Sequence, residues 1–137
     1  MAGVFPSAEW LAAVVEKLNA DEKYARVAAK WEGDMNFIIL PGGALHEKMS
    51  MYLDLWHGKC RGARVITDEP LPKARFTLQA AYPNYVRILQ GRMDPIQAML
   101  TRKLSLKGNM AYIMRNVPVV LDFVRCLQEV TEAYLEE

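Results

Sequence analysis

Few side chains in this 137-residue chain could do covalent chemistry. The strongest grouping is His57-Gly58-Lys59-Cys60, with Arg61 and Arg64 just beyond it. Neighbouring cations favour a thiolate over a thiol, so Cys60 could act as a nucleophile with His57 as its base. Such a site also needs a group to orient the base and donors to hold an oxyanion, and the sequence offers no pattern for either. His46 stands apart from both. The plainer reading is a hairpin turn with solvated charges and a half-buried cysteine. Cys126 is 66 positions away from Cys60. Two cysteines and two histidines so placed match no disulfide framework and no zinc-ligand spacing, so no metal is expected. Gly42-Gly43 lacks the flanking pattern of a phosphate-binding loop, so no nucleotide cofactor is expected either.

A second grouping is basic: Arg102, Lys103, Lys107 and Arg115. They fit a solvated strand edge, where lysines discourage aggregation. They also fit an entrance that attracts a carboxylate, a phosphate or a coenzyme A head group. Over the whole chain, 17 Lys+Arg against 16 Asp+Glu leave a net charge of +1, and no run of exposed aromatics is expected among the basic cluster. Nucleic acid is therefore not an expected partner. The apolar runs, such as Phe37 to Leu40, are far too short to span a bilayer, and MAGVFPSAEW does not read as a secretory signal. The expectation is a cytoplasmic protein whose residues 1–137 form one domain.

These groups must be positioned by a mixture of helices and strands. Ser7 is a good N-cap for a helix with Leu11, Val14, Val15 and Leu18 on one face, and Asp21 can cap a short second helix. The period then changes to two. Trp31, Met35, Phe37 and Ile39 alternate with Glu32, Asp34 and Asn36, and after Pro41-Gly42-Gly43 a second strand runs through Met49, Met51, Leu53 and Leu55. Cys60 to Thr67 is a third strand and Ala74 to Tyr82 a fourth, with Phe76, Leu78 and Ala80 inward. The polar sheet face would carry Glu32, Asp34, Tyr52, Trp56, Thr77 and Gln79. Pro83 to Arg102 reads as helical, with Asp94-Pro95 a strong helix start. Leu104 and Leu106 make a short fifth strand, and a helical crossover of this length predicts that it runs parallel to the fourth. Asn109 caps a turn of helix. A last helix runs from Pro118 to about Leu135, with an apolar arc so broad that it requires two partners.

Eight methionines, among them Met93, Met99, Met110 and Met114, fit either ordinary core filling or a cavity that adapts to apolar ligands. The segment from Asp94 to Arg115, DPIQAMLTRKLSLKGNMAYIMR, favours the cavity. It resembles the sterol carrier protein type-two family of nonspecific lipid-transfer proteins. The resemblance is carried by Asp94, Pro95, Lys103, Leu104, Gly108, Asn109, Met110 and Met114, and the order of elements is also that family's. WEGDMNFII and YLDLWHGKCRGAR look like its stand-alone microbial branch. The chain ends in TEAYLEE, without the Ser-Lys-Leu-like peroxisomal tail of the animal members.

The resemblance implies an α+β fold. A five-stranded, mostly antiparallel sheet would have helices on one face, enclosing an apolar tunnel for a fatty acid, fatty acyl-coenzyme A, sterol or phospholipid, without catalysis. The expected wall is Phe37, Leu53, Phe76 and Leu78 on the sheet, faced by Ile96, Met99, Leu100, Met110, Ile113, Met114 and Leu121. Arg102, Lys103 and Arg115 are the head-group candidates. The expected partner is a lipid or fatty acyl ligand, with transient membrane contact, in a monomer or homodimer. Two rival readings are a dimeric interaction module with a closed core, joined through the last helix, and a Cys60-dependent enzyme acting on lipids or thioesters.

Overall fold

The structure, a computed structural model, describes residues 3–136. Side-chain caps start most of the helices where the sequence places them. Ser7 Oγ accepts the Trp10 amide at 3.0 Å to open α1 (Ala8–Ala20), and Asp21 Oδ1 accepts the Tyr24 amide at 2.8 Å to open α2 (Glu22–Val27). β2 (Met35–Leu40), β3 (Met49–Trp56), β4 (Lys59–Ile66) and β5 (Phe76–Ala81) follow, preceded near the N-terminus by the two-residue β1 (Val4–Phe5). α3 (Tyr82–Leu89) leads to α4 (Pro95–Leu100), where Asp94 Oδ1 accepts the Ile96 and Gln97 amides at 2.8 and 3.0 Å. After β6 (Ser105–Lys107), Asn109 caps α5 (Met110–Arg115), and α6 (Val117–Val130) closes the helical layer.

The main sheet has five strands in the order β4-β3-β2-β5-β6. Three of its four pairings are antiparallel, and the parallel one is β2 with β5, in register from Met35 with Phe76 to Leu40 with Ala81. The expected parallel pairing of the fourth and fifth main-sheet strands is therefore corrected. β6 runs antiparallel to β5, with Ser105 opposite Gln79 and Lys107 opposite Thr77. The connection through α3 and α4 brings the chain back so that β6 starts beside the end of β5. The return crossing falls instead between β4 and β5, where an extended segment through Pro70 and Pro72 passes over the outer sheet face. Asn36 Nδ2 donates to Pro72 O at 2.7 Å, and this explains why Asn36, an outward position by alternation, is only 1% exposed.

The end of the last helix is also corrected. α6 stops at Val130, and β7 (Ala133–Tyr134) runs parallel to β1. Thr131 takes an extended backbone, accepts the Trp10 indole N–H at 2.9 Å and donates to Leu127 O at 2.7 Å. That junction turns the chain out of the helix. The broad apolar arc of α6 has its partners within the chain, since α6 packs against each of α1 to α5. Its polar edge is braced as well. Arg125 reaches Asp21 Oδ1 at 2.7 Å, Asp122 Oδ1 at 2.8 Å and Glu129 Oε2 at 2.8 Å, while Lys17 pairs with Asp21 and Glu129.

Candidate functional site: an apolar cavity between sheet and helices

Alternation along β2, β3 and β5 turns Met35, Phe37 and Ile39, Met51, Leu53 and Leu55, and Phe76 and Leu78 toward the helices. The helical layer answers with Tyr85 and Ile88 of α3, Met99 of α4, Ile113 of α5, and Val120 and Phe123 of α6. A cavity of about 70 Å³ remains between the two layers. Aromatic groups flank it. Trp31 packs at 5.6 Å from Phe76 and 5.1 Å from Tyr112, and Phe5 packs at 4.9 Å from Trp10 and 6.2 Å from Tyr85.

Several lining residues carry polar atoms, and the protein itself occupies most of them. The Trp31 indole donates to Gly33 O at 2.9 Å, the Trp10 indole to Thr131, and Tyr85 Oη to Leu78 O at 3.0 Å. Burial pushes the Tyr24 and Tyr85 phenols far above their ordinary value, so both stay neutral. What faces the void is carbon and thioether sulfur, a surface that binds hydrocarbon and offers a charged ligand group no partner.

The motif around Gly108 has a local cause. Gly108 adopts φ 142°, and a Cβ there would lie 2.7 Å from Phe76 Cδ1 and 2.8 Å from Arg75 O. Only glycine lets the chain pass this close to β5 before Asn109 starts α5. α5 is then pinned by Tyr112, whose hydroxyl accepts the Glu32 amide at 3.1 Å and whose ring lies 3.8 Å from the Arg75 guanidinium.

Of the expected wall, Phe37, Leu53, Phe76, Leu78, Met99 and Ile113 line the cavity. Ile96 is buried and Met110 half-buried in the core, but neither is among its lining residues. Leu100, Met114 and Leu121 are displaced from the expected wall to the surface, at 53%, 44% and 41% exposure. Each directly follows a residue that does line it: Met99, Ile113 and Val120. A helix turns about 100° per residue, so one member of each adjacent apolar pair must leave the buried face. α4 and α5 have six residues each, fewer than two turns, which is too short for periodicity to choose between them. Met35, Ile39, Met51 and Leu55 show as inward strand positions by alternation, although they were not expected on the wall. Phe5 gave no signal, because a two-residue strand has no period. Arg102, Lys103 and Arg115 are all exposed.

The thiol grouping does not assemble as a catalytic site. His57 (φ 49°) and Gly58 (φ 78°) form the two-residue turn between β3 and β4, and His57 Nε2 lies 2.6 Å from Glu32 Oε2. Cys60 is buried, its Sγ donates to Gly62 O at 3.4 Å, and burial pushes its thiol up from the ordinary value. Its backbone is clamped by Asn19, which donates to Cys60 O at 2.9 Å and accepts from Cys60 N at 2.8 Å. Cys60 thus fixes the edge strand to α1. His46 is exposed in the β2–β3 loop. Asp21, Asp122 and Cys126 hold their ligand atoms within 4.8 Å of one another, but Arg125, Lys17 and Lys23 already pair the two carboxylates and burial raises the Cys126 thiol to about 11. The donor set suits the brace and not a cation. No helix among the described residues is long and apolar enough to cross a membrane.

Comparison with known proteins agrees with this geometry. No curated protein matches the chain by sequence. Among solved structures, a crystal structure of sterol carrier protein 2 superposes with a TM-score of 0.81 at 30% identity, covering 90% of this chain and 96% of that one. A conserved hypothetical protein of Thermus thermophilus, described as a possible sterol carrier protein, gives 0.82 at 30% identity over 93% and 90%. The apo form of sterol carrier protein 2 from Yarrowia lipolytica shares the fold, with a TM-score of 0.58 at 20% identity over 93% and 95%. The SCP-2 sterol transfer family model matches residues 11–120, so the chain belongs to the SCP-2 sterol transfer family.

Proposed function

We propose that the protein binds one long-chain apolar ligand, a fatty acyl chain or a lipid of similar girth, between sheet and helices, and carries it without chemical change. The observation that supports this reading is the lining itself: twenty-five residues surround the cavity, and the polar atoms of Trp10, Trp31 and Tyr85 are turned away to protein partners. A core built only for stability needs no void, since each one costs packing energy. The names of the sterol carrier relatives point the same way.

The energetics suit a reversible carrier. Each buried methylene contributes about 0.8 kcal/mol, so a sixteen-carbon chain gains roughly 12 kcal/mol gross. Ordering and association costs remove much of that. At about 70 Å³ the cavity is smaller than the roughly 300–1,000 Å³ of a typical occupied ligand site. Entry therefore requires the walls to part. The adaptable side chains are there to do it, since Met35 and Met51 on the sheet and Met99 on α4 all line the cavity. α2, α4 and α5, at six residues each, are the short helices that lean on tertiary contacts for their stability, so they yield first.

Native mass spectrometry of the purified protein, followed by organic extraction of any bound mass, tests the reading. The expected result is a discrete adduct that extracts as a fatty acid or other lipid, or uptake of added long-chain fatty acid by an apo form. A clean apo mass with no uptake of fatty acid or acyl-coenzyme A would overturn it.

A further inference from the structure

Two aromatic side chains stand at opposite ends of the cavity. Trp31 precedes β2 and packs at 5.6 Å on Phe76, the first residue of β5. Phe5 stacks at 5.9 Å on Tyr82, the residue that follows β5, with the ring planes 9° from parallel. Both Trp31 and Phe5 line the cavity, and both are 2% exposed. The lining from Met35 to Ile39 on β2 and from Met51 to Leu55 on β3 runs between them. Parting sheet from helices widens such a cavity without lengthening it. Its two ends therefore limit a straight ligand.

The two ends are held unequally. The Trp31 amide donates to Ala28 O at 2.9 Å, its carbonyl accepts from the His57 amide at 2.7 Å, and its indole donates to Gly33 O at 2.9 Å. Its ring also packs on Tyr112 at 5.1 Å. Phe5 belongs to β1, a strand of two residues paired with the two residues of β7. Chain ends fastened by so short a ladder open more readily than core strands.

On the reading that the cavity takes an acyl chain, we propose that Trp31 and Phe5 set its length: Trp31 is a fixed stop, and Phe5 is the end that a longer chain pushes aside. Phe76 and Tyr82, on which the two rings pack, are six residues apart. At about 3.3 Å per strand residue, that separation is roughly 20 Å. A contact distance of about 3.5 Å at each ring leaves roughly 13 Å. An extended chain advances about 1.2 Å per bond, so about twelve carbons fit between the rings. Further carbons are buried only by displacing Phe5, which opens the β1–β7 pair. Trp10 and Tyr82, the ring neighbours of Phe5, flank the space it leaves. The ligand that fits with both ends in place is a straight acyl chain of medium length.

Calorimetric titration of the full chain with saturated fatty acids from octanoate to octadecanoate, each below its micelle concentration, is the test. Affinity should rise by up to about fourfold per added carbon as far as dodecanoate, and by less than about twofold per carbon beyond it. Phe5→Ala removes a ring about 5 Å long and should move that break up by about four carbons. Leu78→Ala widens the cavity between the two ends, so it should change affinity at every length and leave the break in place. Circular dichroism and melting confirm that each variant is folded. Hydrogen exchange on the wild type reads the displacement of Phe5 without any substitution. The Ala133 and Leu135 amides, which donate to Gly3 O and Tyr82 Oη, should exchange at least about tenfold faster with octadecanoate bound than with dodecanoate. The His57 amide, which donates to Trp31 O, should exchange at the same rate with both. Affinity that climbs evenly to octadecanoate, a break that Phe5→Ala leaves in place, an equal shift in Leu78→Ala, or exchange that octadecanoate does not speed would each overturn the two stops while leaving the cavity a binding site. No binding at any length would overturn the acyl-chain reading itself, and the stops with it.

Discussion

The ring of Phe37 on β2 stacks against that of Phe123 on α6, with centroids 6.1 Å apart and planes 14° from parallel. Both line the cavity, so this is a direct contact between its sheet wall and its helical wall. A ligand that threads between the layers has to work around or displace this pair.

Phe123→Ala should therefore have two opposite effects. Removing the ring costs about 3–5 kcal/mol of stability, the usual range for a large aromatic deleted from a core. It also enlarges the void, so an apolar ligand that fills it restores lost contacts, and binding to the native state stabilises by mass action. Thermal melts with and without added long-chain fatty acid should show a lower melting point for the apo variant and a larger ligand-induced rise than in the wild type. A smaller rise would mean that Phe123 holds the ligand and does not merely close the space.

Substitution of two methionines by tryptophan separates wall from surface. Met99 lines the cavity and is 8% exposed, whereas Met114 is 44% exposed on the outside of α5. Met99→Trp should fill the void and reduce fatty acid uptake at least about tenfold, at an overpacking cost of about 1–3 kcal/mol. Met114→Trp should leave monomer uptake nearly unchanged. Titration with a fluorescent fatty acid reads both, and equal effects would move the wall to include α5's outer side.

These two methionines also show how far the sequence was legible. Segments with a clear period or a capping residue could be placed from residue types alone: Ser7, Asp21, Asp94 and Asn109 each cap the helix expected of them. Inward strand residues such as Leu53, Phe76 and Leu78 could be placed in the same way, because one face of a strand is fixed by alternation. The facing of α4 and α5 could not, since adjacent apolar pairs in so short a helix fit two rotations equally well. The direction of β6 and the burial of Asn36 were hidden for another reason. Both depend on how distant segments cross, which no local pattern records. Phe5 joins the wall where the chain's two ends meet: Gly3 O accepts amides from Glu132 and Ala133, at 2.8 and 3.2 Å, and Phe5 pairs with Tyr134.

The buried thiol gives a third prediction. Cys60 is 4% exposed with its thiol pKa raised by burial, and Cys126 is fully buried with its own raised to about 11. Both should resist a thiol reagent in the native protein at neutral pH and react fully once denatured. Cys60→Ser should leave fatty acid uptake within about twofold, at a stability cost of about 1 kcal/mol for placing a hydroxyl where a weakly polar thiol packed. Rapid native labelling of Cys60, or loss of uptake in a folded serine variant, would return it to the list of functional groups.

The Arg125 brace sets the behaviour of the fold in acid. The Asp21 carboxyl accepts from Arg125, from the Tyr24 amide and from Lys17, and these partners hold it well below its ordinary value of 3.8. A carboxyl whose folded value is depressed contributes stability above its unfolded value, and loses it as pH falls toward the folded one. The wild type should accordingly lose stability on the acid side of about pH 4, as Asp21 is protonated in the unfolded chain before the folded one. Arg125→Met removes the guanidinium that pairs Asp21 and the buried Asp122, and should cost about 3 kcal/mol at neutral pH. With that partner gone, the folded value of Asp21 moves back toward the unfolded one, so the variant's melting point should fall less steeply with acid than the wild type's. Melting curves from neutral pH down to about pH 3 measure both slopes. Parallel acid limbs would assign the depression to the Tyr24 amide and Lys17, and leave Arg125 as a packing contact between α2 and α6.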